Sequence, residues 1–169
     1  MDFSPIRPTA LKYGLYTGLA VAAYSILLYS TNLINNSFLP MLTYVLSIGG
    51  VVLAMREYKG QNQGFMPFNK GFSLGFLTSF VGSIVSIIIS TVYTSFINTN
   101  AIPSILDYQR MKLEENPQMT EEMIDMAMGM TEKMIHPPLS LLVGLVGGAI
   151  GAALIGVILA AIMKKDPVN

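Results

Sequence analysis

The chain has 169 residues, of which 52% are hydrophobic and only 12% are charged, with ten basic and ten acidic side chains and a mean hydropathy of +0.55. Soluble domains carry about 25% charged residues, and the charges here are confined to four short clusters, so an ordinary soluble domain is excluded. The sequence has no cysteine, which also excludes disulfides, thiolate catalysis and cysteine-ligated metals.

Four long apolar segments separate the charged clusters, at residues 10–31, 38–55, 71–97 and 139–163. A helix of about 20 residues rises about 30 Å and crosses the hydrocarbon core of a bilayer. Lys12 is the one charged side chain inside these segments, near an end where its stem can reach the headgroups. The sequence therefore predicts an all-α membrane domain, residues 1–169, with four transmembrane helices and a helical insert at about 98–138.

The distribution of basic residues predicts the orientation of the four spans. An even number of spans places both termini and the loop after the second span on one side of the membrane. Cytoplasmic loops are enriched in lysine and arginine, so we predict that both termini are cytoplasmic and that the insert is extracytoplasmic. Seven of the ten basic residues lie on the predicted cytoplasmic side: Arg7, Lys12, Arg56, Lys59, Lys70, Lys164 and Lys165.

Hydroxyl side chains mark one face of the third predicted span. Ser79, Ser83, Ser86 and Ser90 recur at steps of three and four, which places them on the same side of a helix. Such residues usually serve close packing and interhelical hydrogen bonds of about 1 kcal/mol or less. A solvated lining of a path through the membrane is the alternative, and the pattern leaves both interpretations open.

Residues 98–138 are too many for a bare connection, and prolines divide them into two predicted short helices. Ser104 is expected to cap the first, with Asp107 in the capping-box position, and Thr120 to cap the second. At about 100° per residue, the second helix has a methionine face opposite an acidic face. We interpret it as an extracytoplasmic docking face for the bundle, for lipid or for a partner: Met119, Met123, Met126, Met130 and Met134.

The same methionines raise the question of a soft-metal site, because thioether sulfurs select Cu(I) and His136 is a plausible co-ligand. On a helical wheel, however, His136 projects onto the polar side, and Met128 points away from Met126 and Met130. A methionine stripe at helical spacing is more typical of packing or of a pliable docking surface. We therefore predict no metal site and no other cofactor.

The fourth predicted span has a small residue at every fourth position. In lipid, helices attract one another by van der Waals contact, and small residues let two backbones approach closely. The stripe therefore predicts tight packing, against the first span, the third span or a second copy of the chain. Its members are Ser140, Gly144, Gly148, Ala152, Gly156 and Ala160.

Catalytic signatures are missing from the sequence. It has no HExxH motif, no phosphate loop and no G-x-S-x-G elbow. A Ser–His hydrolase would have to bring the single histidine, His136, to a serine such as Ser95 near the membrane surface. Pumps and ion-coupled carriers usually need an ionisable residue inside the membrane, and no Asp, Glu, Arg or His lies in the predicted spans. We predict a non-enzymatic protein with no catalytic residue.

Several short motifs occur in a recognisable order: "LKYGLYTGL", "FNKGFSLGF", "YTSFIN" followed by "IPSILDY", "KMIHPP", and a glycine-rich last span followed by "MKKDP". In this order the chain resembles an uncharacterised four-helix membrane family of Bacteroidota, domain-of-unknown-function family 4199. The resemblance implies a bacterial inner-membrane protein with the same four-span layout. It implies no activity, substrate or catalytic residue.

Two functional hypotheses follow from these features. The first is a small inner-membrane protein that acts by helix association, as a homo-oligomer or an accessory subunit, through the small-residue stripe and the methionine face. Its partners are then membrane lipid and other membrane proteins, and no nucleic acid. The alternative is a channel or carrier whose path is lined by the hydroxyls of the third span.

Overall fold

The computed structural model describes residues 6–166, and within them the chain forms six α-helices and no β-strand. Four of the helices in this range are long and apolar enough to cross a membrane, as the sequence predicts. The two others form the insert between the third and fourth long helices. In chain order they are α1 (Arg7–Ser30), α2 (Leu42–Gln61), α3 (Phe68–Val92), α4 (Ala101–Glu114), α5 (Glu121–Ile135) and α6 (Leu139–Met163).

The ends of α2 and α3 differ from the predicted spans. A 3₁₀ turn, Leu39–Met41, precedes α2 and carries Pro40 in its first positions, where a missing N–H leaves no hydrogen bond unmade. At its other end α2 continues to Gln61, beyond the predicted end at residue 55. α3 begins at Phe68, three residues before the predicted span, and continues through a π-helical turn, Tyr93–Ile97, to the predicted end. The long helices therefore extend past their apolar cores.

The two helices of the insert begin at different kinds of residue. The prediction that Ser104 caps the first is wrong, because α4 already begins at Ala101. Proline is tolerated in the first turn of a helix, where N–H groups have no partner within the helix, so Pro103 does not delay the start. The predicted cap of α5 is confirmed, since Thr120 Oγ1 accepts a hydrogen bond from the Met123 N–H at 3.3 Å.

α3 is the central helix of the bundle and packs most extensively against α6 and α1. Glycines let α3 lie close to α1 and to α6. On the α1 side, a Cβ built on Gly18 would lie 2.7 Å from the carbonyl oxygen of Gly82. On the α6 side, a Cβ built on Gly75 would lie 3.0 Å from Gly156 Cα. α3 is therefore held between two helices by contacts between backbones.

The apolar core lies at the end of the bundle where α1 begins and α6 ends, here called the termini end; the opposite end is the far end. Side chains from every long helix meet there, and Met55, Met66 and Leu74 are fully buried. Met66 and Lys165 also exchange two backbone hydrogen bonds, at 2.8 and 2.9 Å, between the start of α3 and the end of α6. The termini end is therefore tightly packed.

Lys12 has a partner inside the protein that the sequence did not indicate. Its Nζ lies 2.7 Å from Glu57 Oε2, and the hydroxyl of Tyr13 donates to the same oxygen at 2.8 Å. Glu57 belongs to the part of α2 that lies beyond the predicted span, which is why the pair was missed. Both side chains are partly exposed, so the pair adds only a weak link between α1 and α2.

Candidate intramembrane site

A cleft of about 370 Å³ lies between α2 and α6. α2 supplies Thr43, Tyr44 and Ser47 to one wall, and a run of small residues on α6 supplies the other. α3 and α1 form the floor, with Thr17 and Val21 as the contribution of α1. Most of the lining residues lie between the middle of their helices and the far end, so the cleft is displaced from the packed core toward the far end.

The cleft brings together residues that the sequence singled out separately. Three of the four predicted lining serines, Ser79, Ser83 and Ser86, face it from α3. Three members of the α6 stripe also line it: Gly144, Gly148 and Ala152. The hydroxyl face and the small-residue face therefore meet at one place, and close packing and cavity lining are two parts of the same arrangement.

The partner of the α6 stripe, which the sequence left open, is α3 of the same chain. A Cβ on Gly144 would lie 3.2 Å from Ile87 Cδ1, and one on Gly148 would lie 2.7 Å from Ser83 Oγ. Gly156 sits directly on the α3 backbone, with its built Cβ 3.0 Å from the Phe76 nitrogen. The packing is closest at the termini end, where Gly156 and Ala160 are buried.

Two further members of these sets, Ser90 and Ser140, line a second cavity of about 160 Å³. It lies one helical turn farther toward the far end along both α3 and α6. Ile102 from α4 and Ile135 from α5 contribute to its walls. The insert therefore lies over the same α3 face whose serines line the larger cleft.

The hydroxyls of the cleft differ in how their protons are used. Ser83 donates to the carbonyl of Phe80 at 2.8 Å, Thr43 to that of Pro40 at 2.6 Å, and Ser47 to that of Thr43 at 2.9 Å. These oxygens keep lone pairs that can accept a hydrogen bond. Ser79 Oγ is different: it is buried and has no hydrogen-bond partner within residues 6–166.

The cleft carries no formal charge. Among the described residues that line it there is no carboxylate, ammonium, guanidinium or imidazole. A charge placed in such a site would lose its hydration without gaining a partner. The arrangement therefore suits an uncharged guest that offers and accepts hydrogen bonds.

The methionine face of α5 is not packed on the bundle. Met123, Met126, Met130 and Met134 are 46% to 67% exposed, whereas Ile124 on the neighbouring arc of the helix is buried. Ile124 lies outside the predicted docking face, which consists of methionines alone. α5 thus turns Ile124 inward and leaves these four methionines exposed.

One exposed ion pair joins α4 to α5 on the acidic side. Arg110 donates to Glu114 at 3.0 Å and to Asp125 at 3.1 Å. The hydrogen bond to Glu114 and the charge of Asp125 raise the pKa of the Arg110 guanidinium above its usual value. Within residues 6–166 no three His, Cys, Asp or Glu side chains gather as a metal site would need.

A helical bundle with four helices that are long and apolar enough to cross a membrane, as residues 6–166 have, is that of a multi-pass membrane protein. The chain belongs to the family described as protein of unknown function (DUF4199), whose family model matches residues 12–165. The family resemblance noted in the sequence is thereby confirmed. No curated protein and no solved structure matches the chain. The matched range contains the whole cleft and the whole insert.

Proposed function

We propose that the protein is a non-enzymatic carrier that binds a small uncharged ligand inside the membrane, in the cleft between α2 and α6. The convergence of Ser79, Ser83 and Ser86 with the hydroxyls of α2 on one cleft supports this proposal. Helix association through the α6 stripe, the first hypothesis from the sequence, loses its main support because the stripe packs against α3 of the same chain.

The uneven packing of the bundle favours a carrier or binding protein over an open pore. Large apolar side chains fill the termini end, whereas the cleft and the second cavity follow one another toward the far end. A continuous pore would need a polar lining at both ends. The absence of charged groups in the cleft also argues against coupling to protons or ions, which relies on ionisable residues within the membrane.

We further propose that the protein lies in a bacterial inner membrane with both termini in the cytoplasm. The excess of lysine and arginine at the termini end supports this orientation. The far end, with the second cavity and the α4–α5 insert, then faces away from the cytoplasm. A ligand would reach the cleft from that side or from the bilayer itself.

Single cysteines introduced at Ser83 and Ser86 test the carrier proposal, because the chain has no cysteine of its own. We expect a charged, membrane-impermeant thiosulfonate to modify Ser86→Cys and, more slowly, Ser83→Cys when it is added from the far side. Ile150→Cys is the matched control: Ile150 is 58% exposed on α6 and does not line the cleft. Its thiol should react at least about tenfold more slowly, since a thiolate does not form in hydrocarbon.

The side from which labelling occurs tests the orientation in the same experiment. Ser37→Cys, in the loop between α1 and α2, should be modified in intact cells, and Gln63→Cys, in the loop between α2 and α3, only after lysis. Complete protection of Ser83→Cys and Ser86→Cys from both sides, with Ser37→Cys reactive, would contradict the carrier proposal. Reversed accessibility of the two loop cysteines would contradict the orientation alone.

A second candidate function, an accessory subunit, is favoured by the exposed methionine face of α5. Unbranched thioether side chains adapt to differently shaped apolar surfaces. An exposed ion pair between Arg110 and Asp125 adds a weak link between this helix and α4. The partner in this case is an apolar segment of another membrane protein that packs on the methionines at the far end.

Met126→Lys tests the accessory-subunit function by placing a charge in the middle of the methionine face. If a partner packs there, we expect loss of the copurifying protein from the native mass spectrum in mild detergent, because the ammonium would be buried without a partner. Gly129→Lys makes the same change of charge on the polar side of α5, where no described atom lies within 4 Å of the built Cβ. Equal behaviour of the two variants would exclude the methionine face as the contact.

A further inference from the structure

We infer that the cleft binds the hydroxyl-bearing headgroup of an uncharged lipid, which enters from the bilayer between α2 and α6. The inference rests on the proposed carrier function and names the class of its ligand. Three properties of the cleft lead to it: one buried hydroxyl with no partner, the absence of charge, and an opening toward lipid.

Ser79 supplies the atom that the ligand would recognise. The residue is 8% exposed and lines the cleft, and its hydroxyl has no hydrogen-bond partner in the described part of the chain. Buried hydroxyls are almost always hydrogen-bonded in native proteins. Ser79 therefore has an unused proton and unused lone pairs, which a guest molecule in the cleft can reach after rotation of the buried side chain to another staggered position.

The neighbouring hydroxyls define what the guest must bring. The protons of Ser83, Thr43 and Ser47 are already donated to carbonyl oxygens of their own helices, so these side chains present lone pairs. A guest with its own O–H groups can donate to them and accept from Ser79. An alcohol headgroup meets both requirements, whereas a carboxylate or phosphate would bring a charge that nothing in the cleft balances.

The volume of the cleft limits the size of the headgroup. About 370 Å³ corresponds to roughly a dozen water molecules at about 30 Å³ each. A glycerol-sized headgroup and the first few methylenes of its chains fit in this space. The rest of the acyl chains must remain outside, in the bilayer.

The acyl chains of a bound lipid can leave the cleft through the space between α2 and α6. These two helices have far fewer contacts with each other than either has with α3. Tyr44 on the α2 wall is 64% exposed, and on the α6 wall no described atom lies within 4 Å of a Cβ built on Gly147 or Gly151. Acyl chains can therefore extend from the cleft into lipid along the glycines of α6.

Photolabelling tests the inference directly. The purified full chain is reconstituted into phosphatidylcholine vesicles with a trace of diacylglycerol that carries a diazirine on one acyl chain. Phosphatidic acid with the same photoreactive chain serves as the charged counterpart. We expect the diacylglycerol to label cleft peptides of α3 and α6 at least about tenfold more than the phosphatidic acid does.

Two variants connect the labelling to the cleft. Gly151→Leu fills the open space on the α6 wall and should reduce labelling by diacylglycerol about tenfold. Gly49→Leu is the control: position 49 also has no described atom within 4 Å of its built Cβ, and it does not line the cleft. Ser79→Ala removes one hydrogen bond and should reduce labelling about fivefold without lowering thermal stability.

Equal labelling by the two lipids, or equal loss in Gly151→Leu and Gly49→Leu, would overturn the inference and indicate adventitious contact with bilayer lipid. If the aqueous reagent still modifies Ser86→Cys in that case, only the class of ligand is wrong and the carrier function stands. If the cysteines are also protected, the carrier function fails as well.

Discussion

Gly156→Leu is expected to destabilise the bundle strongly, whereas Gly147→Leu, nine residues earlier on the same helix, leaves its stability nearly unchanged. A Cβ at position 156 would lie 3.0 Å from the backbone nitrogen of Phe76 and 3.2 Å from the carbonyl oxygen of Phe72. Both atoms belong to the backbone of the central helix and cannot move aside cheaply. Overpacking of a core costs about 1–3 kcal/mol, and more where backbone is displaced, so we expect a loss of at least about 3 kcal/mol.

Thermal unfolding in detergent, followed by circular dichroism, measures this difference. Gly147 is the matched control, because a Cβ there meets no described atom within 4 Å. The experiment also separates the packing role of the stripe from the association role that the sequence suggested. If Gly156→Leu keeps wild-type stability but loses an oligomeric mass, the stripe acts between copies of the chain and not against α3.

The sequence predicts where helices lie better than it predicts which surfaces meet. Apolar length alone gives four spans, because few other structures satisfy the backbone in lipid. Periodicity then identifies the small-residue face of α6, but a face does not name its partner. The contact of Gly156 with α3 depends on how the helices cross, and that information is distributed over the whole chain.

The candidate site shows the same limit. Helical spacing alone places Ser79, Ser83 and Ser86 on one face, but it does not show that hydroxyls of α2 face them across a cleft. Nor does a list of polar residues show that the Ser79 hydroxyl is buried without a partner within residues 6–166, since each proton is used according to local geometry. The sequence therefore predicts that these serines share one face, but not that they form a cleft together with residues of α2.

The outer helix α5 illustrates a different limit. A helical wheel separates apolar from polar residues, and the polar side of α5 is placed as expected. The wheel ranks isoleucine and methionine alike, so it did not show which half of the apolar arc packs inward. Ile124 is buried and Met126 is exposed. The stiff, β-branched isoleucine therefore makes the contact within the protein, and the flexible methionine lies on the exposed face.

Substitution of two adjacent glycines in α2 by alanine is expected to change stability in opposite directions. Gly49→Ala should stabilise the protein by about 0.5–1 kcal/mol, because a glycine in a helix interior costs about that much relative to alanine. Gly50→Ala should destabilise it by about 1–3 kcal/mol through overpacking. A Cβ at position 49 meets no described atom within 4 Å, whereas one at position 50 would overlap the Thr17 side chain and lie 2.9 Å from Thr17 Cβ.

Thr17 cannot turn away easily, because a β-branched side chain has few rotamers in a helix and because the residue is buried between α1 and α2. Thr17→Ala removes the two outer atoms of the contact and should therefore restore most of the stability lost in Gly50→Ala. A double-mutant cycle measured by thermal unfolding should give a favourable coupling of about 0.5–3 kcal/mol. Since Thr17 also lines the cleft, a coupling near zero would show that α2 does not rest on this part of α1 and that the α2 wall of the cleft lies elsewhere.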